Sequence, residues 1–122
     1  MKKFCLFVIC LFHFSAIFPG SYDSLEHKLK ELKAKGNLAA SDTADIHLLK
    51  LLSHYAPDDS KMKMYSLELK TLAYAKFLQL PISHPLRVGL IQTKAFACNL
   101  LGVLYRNSGN ISEALNYLHE AL

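Results

Sequence analysis

Residues 95–122 read AFACNLLGVLYRNSGNISEALNYLHEAL and contain two amphipathic segments joined by a short turn. The turn holds Gly109, which can adopt the left-handed backbone conformation without strain. Asn110 follows and suits the cap of a helix, and Glu113 lies three residues later, as in a variant of the capping box. The stretch therefore predicts a pair of antiparallel helices.

The sequence before this pair also shows helical spacing of apolar residues, starting with a short peripheral helix. This helix starts at Asp23 or Ser24 and ends at Gly36, and its narrow apolar stripe consists of Leu25, Leu29 and Leu32. A helix that lies on a membrane surface is the alternative, but such helices usually carry aromatic residues on the apolar face. This stripe has none, which favours the peripheral helix.

Three further helices are predicted. The second starts at Asp42, the third is capped by Ser60 and ends near Leu80, and the fourth starts at Pro85 and ends near Asn107. The second carries a broad apolar set: Ile46, Leu48, Leu49, Leu51, Leu52 and Tyr55. The third carries an apolar stripe: Met64, Leu67, Thr71, Tyr74 and Leu78, widened by Leu72 and Ala75. No alternating strand pattern of useful length occurs, so an all-α fold of helix-turn-helix pairs is predicted.

The closing pair resembles the tetratricopeptide repeat, a helical hairpin of about 34 residues. The residues that carry the resemblance are Cys98, Leu101, Gly102 and Tyr105 on the first helix and Ala114, Leu118 and Ala121 on the second. In this pattern Gly102 lets the second helix approach the backbone closely, and Tyr105 fills the gap between the helices. The sequence departs from the pattern where Cys98 replaces the usual Trp and Leu118 the usual aromatic residue, and the closing Pro is missing.

The resemblance implies a short α-solenoid with residues 95–122 as a repeat that is incomplete at its C-terminus. Residues 42–94 have the same helix-turn-helix plan without the Leu-Gly-Tyr set, and are interpreted as a degenerate hairpin region. Residues 22–41 form the peripheral helix and turn. A short helix with Asp-Ser-Leu at Asp23 to Leu25 follows an export-type leader, and Asp-Thr-Ala at Asp42 to Ala44 leads into the next helix. This layout resembles the start of bacterial exported repeat proteins that continue into signalling modules, which implies a sensing or scaffolding role.

Residues 1–21 have the pattern of a signal peptide. Lys2 and Lys3 precede an uncharged apolar run from Phe4 to Phe18, which Pro19 ends. A membrane span needs about 20 apolar residues, so an uncleaved anchor is the less favoured alternative. We therefore predict an exported protein, periplasmic or secreted.

Composition and spacing argue against several function classes. Without Lys2 and Lys3 the 14 basic residues become 12 against 10 acidic ones, or +2, and no run of like charge suggests nucleic-acid binding. His47 and His54 lie seven residues apart, which is not the spacing of a zinc pair, and no cofactor motif is present. No catalytic constellation has a motif context, so the prediction is a non-enzymatic protein without metal or cofactor.

The resemblance implies binding of a protein or peptide along the first helix of the closing pair. The implied contact residues are Phe96, Asn99, Val103, Arg106 and Asn107. Asn99 and Asn107 would hydrogen-bond a peptide backbone, and Arg106 would hold a carboxylate. The alternative is that these are ordinary solvated positions.

The last helix carries an apolar stripe that no later helix in the sequence covers: Ile111, Leu115, Leu118 and Leu122. Because repeat arrays need capped ends, two hypotheses follow. The chain is part of a longer protein, or it self-associates through this open helix.

Overall fold

A computed structural model describes residues 20–36 and 39–122. In this part of the chain there are five helices and no strand, which confirms the all-α class. The helices are α1 Gly20–Ala34, α2 Ala44–His54, α3 Asp59–Gln79, α4 Leu86–Asn107 and α5 Ile111–Ala121. Residues 1–19 of the predicted signal peptide lie outside the described residues, and α1 begins at Gly20, earlier than the predicted start at Asp23 or Ser24.

The order of helix packing largely follows the order of the chain. Each helix packs against the next, and α2 also packs against α4. The α2–α3 and α4–α5 hairpins therefore lie side by side. The main core forms where α1, α2, α3 and α4 meet, and its largest fully buried side chains are Leu49, Leu52, Leu69 and Leu90.

Two helix starts differ from the predictions, and each lies beside an aspartate that accepts a backbone hydrogen bond. Asp58, in extended conformation, accepts a hydrogen bond from the Lys61 backbone N–H at 2.8 Å, so Asp58 caps α3 and Ser60 lies inside the helix. Asp42 accepts from the Ala44 N–H at 3.0 Å, and α2 begins at Ala44. In both places the carboxylate satisfies a backbone N–H that has no partner within the helix.

The predicted apolar stripe of α3 is wrong as the packing face of that helix. Met64, Tyr74 and Leu78 are exposed, whereas the helix buries Tyr65, Ser66, Leu69, Ala73 and Lys76. The helix carries apolar residues on two sides, and its neighbours cover the side on which Leu69 lies.

Buried Lys76 ties the segment before α2 to α3. Its ammonium donates to the carbonyl oxygens of Asp42 at 2.8 Å and Ala39 at 3.3 Å, and lies 3.4 Å from the Asp45 carboxylate. A buried lysine needs such partners, because burial of an isolated charge is very unfavourable.

Helix α1 is attached to its neighbours by polar contacts as well as by buried Leu29. The Tyr22 hydroxyl donates to the Leu52 carbonyl at 2.8 Å. Glu26 accepts from the Lys61 ammonium at 2.7 Å and from the Tyr65 hydroxyl. These bonds bring together residues that lie 30 or more positions apart in the sequence.

Helix α4 has 22 residues and contains an 18-residue window with a mean hydropathy of 1.3, so it meets the length and composition criteria of a membrane span. Core helices of soluble proteins meet the same criterion. In this structure α4 packs against α2, α3 and α5, and buries residues such as Leu90, Ala97 and Leu101.

Candidate interaction surfaces

The α4–α5 hairpin places the repeat-type residues in direct contact. A Cβ atom added to Gly102 would lie 2.8 Å from Leu118 Cδ2 and 3.5 Å from the Ala114 carbonyl oxygen, so the close approach predicted for Gly102 is confirmed. Cys98, Leu101 and Ala114 are buried. Ala121 is half-buried, and Leu118 is 37% exposed.

The turn between α4 and α5 has the predicted conformation. Gly109 has φ +83°, and its N–H donates to the Arg106 carbonyl while the Asn110 N–H donates to the Tyr105 carbonyl. This pair of bonds is a Schellman motif, which satisfies carbonyls at the end of α4. The Asn110 side chain then accepts from the Glu113 N–H at 3.3 Å and caps α5, as predicted.

Tyr105 lies between α4 and α5 and also reaches α3. Its ring stacks on Tyr117 with centroids 5.4 Å apart, and the Lys63 ammonium lies 5.3 Å from its centroid. The Lys70 ammonium lies 5.1 Å from the centroid of the Tyr117 ring and pairs with Glu120 at 2.7 Å. Two lysines of α3 thus hold the aromatic pair at the α4–α5 contact.

The electrostatics of this contact keep Cys98 unreactive. Burial, with a smaller contribution from the Glu120 carboxylate, raises the pKa of the Cys98 thiol to about 11. The thiol lies 3.5 Å from Glu120, whose pKa is lowered mainly by the hydrogen bond from Lys70. A thiol that stays protonated at neutral pH is a poor nucleophile and a poor metal ligand, so Cys98 acts as a packing residue.

Four of the five predicted contact residues lie on one exposed side of α4: Asn99, Val103, Arg106 and Asn107. Phe96 is half-buried and packs against α2, where Lys50 lies 5.2 Å from its ring centroid and the His54 ring 6.0 Å away. Phe96 therefore forms the edge of this side next to α2.

The exposed side of α4 continues onto α5. Helix α5, all of whose residues the structure describes, buries Ala114 alone and leaves the stripe Ile111, Leu115, Leu118 and Leu122 in contact with solvent. Asn99 lines a cleft of about 410 Å³ together with Leu115, Leu118, His119, Ala121 and Leu122. We call this combination of the Asn99 side of α4 and the leucine stripe of α5 the open face.

The sequence pattern indicated the exposed residues of the open face, but it did not indicate the row of cations that lie on aromatic rings between α3, α4 and α5. The row continues from Lys70 to Lys94, which lies 4.4 Å from the Tyr74 ring centroid, and to Arg87, which lies 3.9 Å from the centroid of Phe77. The signal was present in the sequence as aromatic and basic residues at helical spacing. Their pairing depends on how the helices pack.

No group of three or more His, Cys, Asp or Glu side chains within the described ranges is arranged to hold a metal ion. His47 and His54 are both exposed on α2.

Searches against protein-family models, curated proteins and solved structures find no match to this chain.

Proposed function

We propose that this chain is a non-enzymatic protein-interaction module of tetratricopeptide type, which binds a segment of a protein partner on the open face. The observation that carries the proposal is the exposure of α5. A helix of 11 residues buries Ala114 alone and presents an apolar stripe beside a cleft. Exposed apolar surfaces of this kind, bordered by polar residues, are typical of protein-binding sites.

The local geometry supports the repeat type. The α4–α5 hairpin has the close approach at Gly102, the left-handed Gly109 and the capped start of α5. The α2–α3 hairpin precedes it, and α2 packs against α4 as first helices of successive repeats do in a solenoid. Export remains part of the proposal, and it depends on the pattern of residues 1–21.

The chemistry of the open face defines the partner segment. The leucine stripe requires apolar side chains at helical spacing, because burial of such surface is the main source of binding energy. Arg106 lies seven residues after Asn99 on the same side of α4, and its guanidinium can hold a carboxylate by two parallel hydrogen bonds. The expected partner is therefore an amphipathic segment with an acidic residue at one end.

The test is selection from a displayed peptide library by the purified full chain. We expect selected peptides to carry apolar residues at helical spacing with an acidic residue. They should lose binding to the Leu115→Asp, Arg106→Ala and Asn99→Ala variants. Asn116→Ala is the matched control for Asn99→Ala, because both residues are exposed asparagines and Asn116 does not line the cleft. The proposal fails if no peptide is enriched, or if the enriched peptides bind Leu115→Asp as well as the unsubstituted chain.

A second candidate is a structural module that self-associates through the same stripe and has no separate ligand. The leucines on α5 favour it, because two copies could pair these stripes. Sedimentation over a range of concentrations would show an association that Leu115→Asp removes and that Arg106→Ala and Asn99→Ala leave unchanged. A monomer at all concentrations would exclude this candidate.

A further inference from the structure

A second exposed surface lies on the side of the molecule where α3 meets the N-terminal half of α4. Helix α4 has 22 residues, and α5 contacts the C-terminal half, where Cys98 and Gly102 lie. The side of α4 on which Cys98 and Gly102 contact α5 continues towards its N-terminus through Lys94, Ile91 and Arg87 at intervals of three and four residues.

The α3 side of this surface consists of aromatic and aliphatic residues. The Lys94 ammonium lies 4.4 Å from the centroid of the Tyr74 ring, and this ring stacks on Phe77 with centroids 6.1 Å apart. Leu78 follows one turn after Tyr74. The exposed fractions of Tyr74, Leu78 and Ile91 are 41%, 61% and 38%, so these large apolar side chains are exposed where the two helices meet. We call the set Tyr74, Leu78, Arg87, Ile91 and Lys94 the α3–α4 face.

The charge of the α3–α4 face is positive. Within residues 20–36 and 39–122, no carboxylate lies within 4.0 Å of the charged nitrogens of Lys94 or Arg87. Arg87 donates from Nη1 to the carbonyls of Phe77 at 2.7 Å and Leu80 at 2.8 Å, which fixes the guanidinium at the end of α3. An arginine has five N–H donors, so a carboxylate can still bind to this fixed group.

Helix α5 demonstrates how a helix binds to the neighbouring part of the same surface. It places Ala114 against α4, its Tyr117 ring against Tyr105, and its Glu120 carboxylate on Lys70. The α3–α4 face, nearer the N-terminus of α4, also combines apolar side chains with cations. Its cations are Lys94 and Arg87. These two cations are seven residues apart on one side of the helix, a distance of about 10 Å along its axis.

We propose that the α3–α4 face is a second docking site, distinct from the open face, and that it binds an amphipathic helix with carboxylates about two turns apart. The carboxylates pair with Lys94 and Arg87, and apolar side chains between them cover Ile91, Leu78 and Tyr74. A single-stranded nucleic acid is the competing occupant, because exposed Tyr74 could stack on a base. It is disfavoured because Ile91, which lies between the two cations on α4, offers neither a charge nor a stacking surface.

The experiment uses two synthetic peptides of about 15 residues, a length at which a helix can form on binding. Both peptides carry leucines on one side of the helix. One has glutamates at positions i and i+7 beside the leucines, and the other has lysines at the same two positions. Fluorescence anisotropy of labelled peptide, titrated with the full chain, measures the affinity. We expect the glutamate peptide to bind and the lysine peptide to bind at least about tenfold more weakly. The reason is that loss of a hydrogen bond between charged groups lowers the affinity by about this factor.

Variants of the protein locate the site. Lys94→Glu should lower the affinity for the glutamate peptide by about tenfold or more and raise the affinity for the lysine peptide. A general loss of structure cannot produce this reversal. Ile91→Ser should weaken the binding of both peptides, because it removes apolar contact area without adding a charge. Leu51→Ser is the matched control, since Leu51 is an exposed aliphatic residue on α2 and its substitution should leave both affinities unchanged.

Three outcomes would overturn the proposal: equal affinities for the two peptides, an unchanged affinity in Lys94→Glu, or tighter binding of a single-stranded oligonucleotide than of the glutamate peptide. Loss of binding in Leu115→Asp alone would also overturn it, since the peptide would then occupy the open face. The experiments can thus reject the proposal for the open face and the proposal for the α3–α4 face independently of each other.

Discussion

Helices α2 and α5 each have 11 residues and an amphipathic sequence, yet they differ greatly in burial. Helix α2 packs against α1, α3 and α4 and buries Ile46, Leu49, Leu52 and Ser53. Helix α5 lies mainly on α4 and buries Ala114. The difference shows that the number of neighbouring helices decides how much of an amphipathic helix is buried. The helix with fewer neighbours retains an exposed apolar stripe.

The largest expected effect concerns the buried ion pair that fixes the start of α2. Lys76→Met should lower the free energy of unfolding by about 3–5 kcal/mol, because it leaves the Asp45 carboxylate and two carbonyls without their buried partner. Urea unfolding followed by circular dichroism measures the change. Adding Asp45→Asn should recover part of the loss, since the uncompensated charge is then gone. No recovery would mean that the Lys76 contacts with the backbone carbonyls dominate.

The second prediction compares one substitution in the two helices of equal length. Leu49 is 0% exposed and Leu115 is 55% exposed. Leu49→Ala should cost about 2–5 kcal/mol of unfolding free energy, because it removes buried surface and leaves a cavity. Leu115→Ala should change it by less than about 0.5 kcal/mol. Equal losses in the two variants would show that α5 is covered in solution, for example by a second copy of the chain.

The third prediction concerns the contact that holds α5 on α4. Gly102→Val should cost about 1–3 kcal/mol, because its side chain must displace Leu118. Hydrogen exchange should increase in α5 more than in α2. Gly89→Ala is the matched control on the same helix: an added Cβ there meets nothing within 4 Å. That substitution should stabilise the protein by about 0.5–1 kcal/mol, since alanine favours the helix. Uniformly faster exchange throughout Gly102→Val would instead mean that the whole chain unfolds as one unit.

The smallest expected effect is on the stability of α1 in acid. Hydrogen bonds from Lys61 and then from Tyr65 lower the pKa of Glu26 below its ordinary value of 4.5. The ionised carboxylate therefore stabilises the folded state above pH 4.5, and this contribution is lost as the pH falls through the lowered pKa. Unfolding measured at a series of pH values should lose less stability on acidification in Glu26→Gln than in the unsubstituted chain.

Glu120 provides the corresponding comparison on α5, because the pKa of its carboxylate is lowered by the hydrogen bond from Lys70. Glu120→Gln should reduce the acid-induced increase in hydrogen exchange of α5, and Glu26→Gln that of α1. If each variant changed the exchange of both helices equally, the two ends of the chain would not open independently.

The sequence by itself determined the local features. Helical spacing and the scarcity of strand patterns indicated an all-α chain, and Gly109 with Asn110 indicated the turn before α5, because a left-handed glycine and a helix cap are local requirements. Gly102 was also identified correctly, since the close approach of two adjacent helices leaves a pattern within one short stretch. The partner and the type of repeat remain predictions.

Only the tertiary structure decided which of several apolar surfaces is buried. Helix α3 carries apolar residues on two sides, and its neighbours cover Leu69 while Leu78 stays exposed. The burial of Lys76 and the row of cations on aromatic rings likewise depend on residues distant in the sequence. The physical reason is that periodicity identifies a helix and its apolar residues, whereas burial depends on which other helices lie against it.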